Sequence, residues 1–430
     1  MTHATTSPAP PGAPGPHEPA SRDQALELLR HHIRAHAPGV ERLPLDQALG
    51  RVCTDDQFAA RSVPGRPRSS MDGYAIRSAE VAGASLTNPA RLALAAAGGE
   101  IRPSTSDPDP LPLGSARLIL TGGLLPEGAD AVVAAEDAEV ADGHVRFFEE
   151  VEPGAHVRDV GADIRAGTRI IRRGEDYAPP ILATLALSGT SHVPVHAQPE
   201  VLVLAVGNEL AALGTTPAPG QTAADNLLLA AGLLRQRGVT NIVSEVCAND
   251  VLTVADRLVA AGEPSCIVTT GGTGPGQRDF LLQAARLAGF EILFHGLKLV
   301  PGKSVFAAVK GRTILFALPG TPWAVFALLH ALVLPAACWL RGRAIPVPIP
   351  VLARLDQVPP EAPPGWERLV ACTITAVRAA LHAHPLVDRT REGRLDMIEA
   401  QGLLLVPPHV SEGDLLPMIP IWEHKRGHRP

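Results

Sequence analysis

Four glycines crowd the run Thr269-Thr270-Gly271-Gly272-Thr273-Gly274-Pro275-Gly276-Gln277-Arg278-Asp279, directly after a stretch with the character of a buried strand. Glycines there let the backbone approach a ligand closely and turn N–H groups toward an anion. Asp279, just before the next helical pattern, suits either a helix cap or a divalent cation. Read from physics alone, the run is either an anion site or a tight turn. A second run, Ser69-Ser70-Met71-Asp72-Gly73-Tyr74-Ala75, puts a carboxylate beside a flexible glycine, which by itself reads as an Asx-turn. A third, from Thr121-Gly122-Gly123 through Pro126-Glu127-Gly128-Ala129-Asp130 to Val133, has the composition of a loop, with Asp130 shaping a turn. Pro301-Gly302-Lys303, with Lys298 close by, supplies cations for a phosphate, against the default of solvated lysines. Neither a G-x-S-x-G elbow, a Walker loop nor a dinucleotide fingerprint occurs, and Gly207-Asn208-Glu209-Leu210 lacks the spacing for hydride chemistry.

These runs need elements to position them. Residues 201–206, 241–246, 266–270 and 313–318 read as strands, and 227–237 and 251–261 as helices, with Gly207, Gly271-Gly272 and Pro319-Gly320 at strand ends. This alternation predicts a central doubly wound, mostly parallel sheet over 199–343, with ligands beyond the carboxyl ends of its strands. Upstream, short apolar runs at 131–134 and 144–148 between Gly, Pro and Asp turns predict an inserted β-rich domain over 61–160. A helix is expected from Ser21, where Ser21 and Gln24 form a capping box and Ala25, Leu28, Leu29 and Ile33 recur until Pro38. Residues 177–188 read as a helix opened by Pro179 and Pro180 and expected to return beside the first. Segments 21–60 and 161–198 then make one helical linking domain around the insertion. The tail, 344–430, alternates after a Pro-rich entry and reads as a small β-barrel or sandwich.

At 430 residues the chain is too long for one core. A net charge of −6 without a dense Lys/Arg stripe argues against a nucleic-acid partner. The five cysteines stand singly with no CxxC pair, which excludes a zinc knuckle and reads as reduced thiols in a cytoplasm. Residues 1–20 are Pro-rich, without a basic start or an apolar h-region, and read as a disordered tail and not a signal peptide. Pro322–Leu340 imitates a membrane span. It begins at a Pro-Gly turn and carries His330 and Pro335, so a buried core or dimer-interface helix is expected and no membrane partner. His31, His32 and His36 on the first helix read as solvated surface histidines.

Taken together the runs resemble the molybdopterin molybdenumtransferases, the molybdenum insertases related to the C-terminal domain of gephyrin. Besides the runs above, the resemblance rests on Ala48-Leu49-Gly50-Arg51-Val52, Gly161-Ala162-Asp163-Ile164 with Gly167, Gly220-Gln221 with Asn226, and Leu318-Pro319-Gly320 with Pro322. The resemblance implies an elongated homodimer of four-domain subunits, with a cleft between the α/β domain of one and the β-rich domain of the other. It implies insertion of molybdate into adenylylated molybdopterin, with Mg²⁺, phosphoanhydride cleavage and release of AMP. Asp72, Asp250 and Asp279 would surround metal and molybdate. Thr121, Gly207, Glu209, Asn226, Gly271, Gly272, Gly276, Lys298, Lys303, Pro319 and Gly320 would hold the pterin substrate. A molybdopterin adenylyltransferase and an acceptor molybdoenzyme are the implied protein partners. The sequence departs from the family pattern at Gly274 (a hydroxyl lost), Val300 (a basic residue lost), Ala224 (the acid displaced to Asp225) and Thr321 (an Asn replaced). These departures keep a non-catalytic molybdopterin-binding carrier or regulator in view, and Thr269-Thr270-Gly271-Gly272-Thr273-Gly274 followed by Arg278-Asp279 resembles the related molybdopterin adenylyltransferases, a third reading. The flanking domains argue against the adenylyltransferase.

Overall fold

The computed structural model describes residues 18–95, 100–103, 107–272, 278–386 and 393–421. The strand Glu200–Val206 is apolar at consecutive positions because both its faces are covered. Val201, Val203 and Ala205 enter one core, Leu202, Leu204 and Val206 the other. It lies in a six-stranded sheet ordered Asn241–Cys247, Glu200–Val206, Cys266–Thr270, Thr313–Leu318, Phe306–Lys310, Glu291–His295. The first four strands are parallel and the last two run antiparallel at one edge. Helices Val251–Ala260 and Arg278–Leu287 cover one face through Val254, Leu258, Leu281 and Ala285. The other face is covered by Asp225–Gln236, by the first helix Arg22–Ala35 and by the segment Pro322–Leu340.

Pro322–Leu340 belongs to the chain's own core, 83% of it being buried. It comprises helix Pro322–Leu328, a π turn Leu329–Val333 and helix Leu334–Leu340. Pro335 has no N–H with which to bond the Ala331 carbonyl four residues back. That freed carbonyl accepts a hydrogen bond from Arg22 Nε at 3.3 Å, and the π turn lies beside it.

The capping box of the first helix is present, Ser21 Oγ accepting from Gln24 N at 3.1 Å and Gln24 Oε1 from Ser21 N at 2.9 Å. Its apolar stripe, Ala25, Leu28, Leu29 and Ile33, is spent on the α/β core. The helix Pro179–Leu187 therefore does not pack beside it as expected. It has no comparable stripe, burying Leu185 alone, and rests on the elements Arg169–Ile171 and Leu45–Gln47. The return is made by strands, His192–His196 pairing with Val40–Pro44 and Arg169–Ile171 with Gln57–Phe58. His32 is also not the solvated residue expected. It is half-buried, and desolvation first, then the neighbouring histidines, push its pKa down to about 4.

Between those strands sits a curled mixed sheet ordered Ala131–Ala134, Gly73–Ile76, Ser115–Ile119, Ala90–Leu94, His144–Phe147, Ala138–Ala141. Tyr74, Ile76, Leu92, Val133 and Phe147 form a core on one side of it. Gly73 is required by close approach, because a Cβ there would overlap the Val133 carbonyl oxygen of the paired strand. The C-terminal region resolves the barrel-or-sandwich alternative. Strands Glu367–Val377, Ala380–Pro385, Val351–Leu355, Leu415–Pro420 and Gly402–Val406 follow one another, and the last pairs back to the first, closing a barrel.

Gly73→Ala is expected to cost about 1–3 kcal/mol of stability by overpacking the curled sheet. Calorimetry would show its unfolding endotherm displaced to lower temperature, and an unmoved endotherm would refute the close contact.

Candidate functional site

The loops following Val206, Thr270 and Leu318 leave the sheet at one end and meet. Gly271, at φ 91°, donates its N–H to the Leu318 carbonyl at 3.1 Å, and a side chain there would overlap the Val206 carbonyl. Pro319-Gly320 closes over it, a Cβ on Gly320 falling 3.3 Å from the Gly271 Cα. Asn226, in the first turn of its helix, donates Nδ2 to the Gly320 carbonyl at 2.9 Å. Its Oδ1 is buried without a partner, as is the hydroxyl of Thr270. Buried acceptors left unpaired cost free energy, and a ligand donor meeting them recovers it. Gly272, at φ 71°, continues the turn. Gly276 lies outside the described residues. Asp279 is the second residue of helix Arg278–Leu287, so it stands within the helix and not before it as expected. Its side chain lies outside what the structure describes.

Two acidic loops flank this centre. The Glu209 carboxylate folds over Gly207, whose added Cβ would lie 2.7 Å from Oε1. Asn208 Oδ1 accepts from the Asn249 N–H at 2.9 Å, tying this turn to the one that carries Asp250. Asp250 is the N-cap of helix Val251–Ala260, its Oδ2 accepting from Thr253 N and Thr253 Oγ1, each at 2.8 Å. The Thr253 N–H, then its hydroxyl, holds this carboxyl below its ordinary pKa. The two lysines separate. Lys298 is taken by Glu18 at 2.6 Å, while Lys303 is exposed and pairs with no carboxylate among the described residues. Because Phe306 is in register with Ala317, Lys303 stands at the same end of the sheet as Gly271. The displaced acid Asp225 is likewise engaged, with Arg394 of the barrel region.

A second centre lies on the curled sheet. Gly73 and Ile119 are paired in register, which sets Asp72 beside Thr121. Asp72 Oδ1 accepts from Thr121 N at 2.7 Å and from Thr121 Oγ1 at 2.8 Å. Both bonds hold the exposed carboxyl below its ordinary pKa, the backbone N–H contributing first. Thr121 borders a cavity of about 740 Å³ that Arg61, Arg66, Arg68 and Arg158 also line. Arg66 pairs with Asp107 and Arg158 with Asp163 across it. Sequence reasoning assigned none of these arginines, because they are spread over 61–158 and only the turns gather them. Asp130, by contrast, is a turn builder, accepting from Ser78 N at 2.6 Å and Ser78 Oγ at 2.8 Å.

The proposed ligand residues thus fall into two sets. Gly207, Glu209, Asn226, Asp250, Gly271, Gly272, Lys303, Pro319 and Gly320 belong to the α/β domain, whereas Asp72 and Thr121 belong to the curled sheet. Among the described residues no group of three His, Cys, Asp or Glu side chains is placed to hold a metal ion.

Residues 20–189 match the family model for the MoeA N-terminal region (domain I and II), and residues 202–338 that for a probable molybdopterin binding domain. The chain is 32% identical over 288 residues to molybdopterin molybdenumtransferase 2 of Mycobacterium tuberculosis, covering 65% of this chain and 70% of that protein. It is 29% identical to the molybdopterin molybdenumtransferase of Haemophilus influenzae, covering 70% of this chain and 73% of that one. A crystal structure of the molybdopterin biosynthesis moeA protein from Pyrococcus horikoshii superposes with a TM-score of 0.78 at 25% identity, covering 94% of this chain and 99% of that one.

A carboxyl with a lowered folded-state pKa contributes stability above its unfolded pKa and loses it as pH falls through the folded value. In ¹³C NMR the Asp72 carboxyl should titrate below the ordinary 3.8, and Thr121→Val should raise the midpoint part of the way back. A midpoint indifferent to Thr121→Val would show that the hydroxyl bond is absent in solution.

Proposed function

The chain belongs to the molybdopterin molybdenumtransferase family and acts in molybdenum cofactor biosynthesis by molybdenum insertion, and we propose that its substrate is adenylylated molybdopterin, released as AMP and molybdenum cofactor. The observation that carries this reading is the junction of Gly271, Gly320 and Asn226, with unpaired buried acceptors, at the same end of the sheet as Lys303, which pairs with no carboxylate among the described residues. The Asn226 and Thr270 acceptors suit the donors of a pterin edge. Lys303 is a point charge for a phosphate, and the glycine turns bring backbone close to it. Fixed donors around a phosphoanhydride act by positioning and by stabilising charge that develops as the P–O–P bond breaks.

Mg²⁺ fits the donor chemistry of this chain. Asp72 and Asp250 would serve as hard-oxygen ligands, since the hydrogen bonds described above occupy one oxygen of each and leave the other. Asp279 would be the third ligand. When bound, the ion neutralises charge on the phosphate oxygens. Asp72 and Asp250 stand on different domains, which supports a homodimer whose cleft joins the curled sheet of one subunit to the α/β domain of its partner. In that cleft Arg158 and the other arginines around Thr121 face the anionic substrate. The domains so used are 21–60 with 161–198, 61–160, 199–343 and 344–430. Five cysteines, all free and buried, suit a reducing cytoplasm.

A carrier role is the second reading, favoured by Lys298 and Asp225 being drawn away to Glu18 and Arg394. The test is single-turnover AMP release from protein loaded with adenylylated molybdopterin and Mg²⁺, with and without molybdate. Molybdate-dependent release is expected, abolished by Asp279→Ala and slowed about 10²-fold or more by Lys303→Ala. Substrate that stays bound and intact would establish the carrier instead.

A further inference from the structure

A cavity of about 250 Å³ lies where the first helix, the linking strands and the end of the Pro322–Leu340 segment meet. Its walls are strongly basic. Arg30 and Arg34 come from the first helix, Arg173 from the turn after Arg169–Ile171, His196 from the end of its strand, Trp339 from the last segment and Arg343 from the turn after it. Among the described residues Arg343 alone of these guanidinium groups is answered by a carboxylate, that of Asp176, which also approaches Arg341 at 3.5 Å. Arg30 stacks over the Trp339 ring, its Cζ 5.9 Å from the centroid, and neither Arg34 nor Arg173 pairs with a carboxylate among the described residues.

The lining also holds polar atoms that are buried and unpaired. His196 is 9% exposed, and its Nδ1 has no hydrogen-bond partner. The indole N–H of Trp339 is likewise buried without an acceptor. The imidazole lies flat on Gly342, where any side chain would overlap the ring, so the backbone is shaped to keep His196 in place. Desolvation first lowers the His196 pKa, with repulsion from Arg173 adding to it, while backbone hydrogen bonding at Pro38 and Gly39 and the charge of Asp55 oppose that shift.

We propose that this cavity is an oxyanion site, binding a phosphate-like tetrahedral group separately from the pterin centre. Arg30, Arg34 and Arg173, with no carboxylate partner among the described residues, give the cavity a positive field that favours an anion, and the wall residues Trp339 and His196 each carry a buried polar atom that lacks a partner. The ligand bridges three segments distant in sequence, so its binding braces the junction of the linking strands with the α/β domain.

Trp339 reports occupancy. In the full-length chain, inorganic phosphate, molybdate and AMP would each be titrated while tryptophan fluorescence is followed, with Trp339→Phe identifying the contribution of this ring among the four tryptophans. A saturable change is expected in the wild type, absent in Trp339→Phe and unaltered by Lys303→Ala. Its midpoint should rise at least about tenfold in Arg34→Ala/Arg173→Ala. Phosphate-induced thermal stabilisation, present in the wild type and lost in the double variant, gives the same answer without the fluorophore. Response to the inorganic ions would identify a free oxyanion as ligand, and response to AMP alone the phosphate end of a larger molecule. No saturable response to any of the three, or one that Arg34→Ala/Arg173→Ala leaves unweakened, would overturn the site.

Discussion

The strand Glu200–Val206 lies between two cores, with alternate side chains feeding each. A strand covered on both faces can present polar groups only at its ends, because along its length every side chain is committed to packing. The same constraint holds for Cys266–Thr270 and Thr313–Leu318, which pair with it or with each other in parallel register. Their loops therefore emerge together, and the contacts among Gly271, Val206, Leu318 and Gly320 follow from that register. Any substrate recognised by this domain is met by loop backbone and by the few side chains, Asn226 and Lys303 among them, that the loops and helix starts bring alongside.

The parallel sheet was readable in the sequence because its strands are continuous apolar runs ending in glycine turns, and the capping box of the first helix because its signal is local. The barrel was readable only as one of two β forms, since closure depends on Gly402–Val406 pairing back to Glu367–Val377 across a region no local pattern spans. The destination of Pro179–Leu187 was misjudged for a similar reason, its neighbours being set by strand pairing at a distance. Of the candidate site, the glycine turns, Asp72 and Thr121 stand out in the sequence, and the structure shows Asp72 bonded to Thr121. The fates of Lys298 and Asp225 are not legible there, because Glu18 and Arg394 are remote along the chain. The arginines around Thr121 were missed because the charge density that defines them exists only after folding.

A chain of net charge −6 nevertheless gathers arginines at two separate places. In the curled-sheet cavity, Asp107 and Asp163 hold two of them in ion pairs, which orders the guanidinium groups while reducing the local field. At the junction cavity most of the positive charge is left unanswered. Overall charge therefore says little about this protein's ligands, and the local balance of arginine and carboxylate says more.

The hydrogen bond from Arg22 to the Ala331 carbonyl joins residues 309 apart in sequence, and the apolar stripe of the first helix packs into the same late-arriving segment. During synthesis at about 5–20 residues per second, the first helix leaves the ribosome roughly 15–60 s before the surface that receives it. Through that interval Leu28, Leu29 and Ile33 have no native partner in the Pro322–Leu340 segment, and the curled sheet and linking strands are complete in sequence long before the α/β core can close. The first described helix is thus among the last elements to be docked. An N-terminal fusion or tag is consequently joined to an element whose docking waits on nearly the whole of translation.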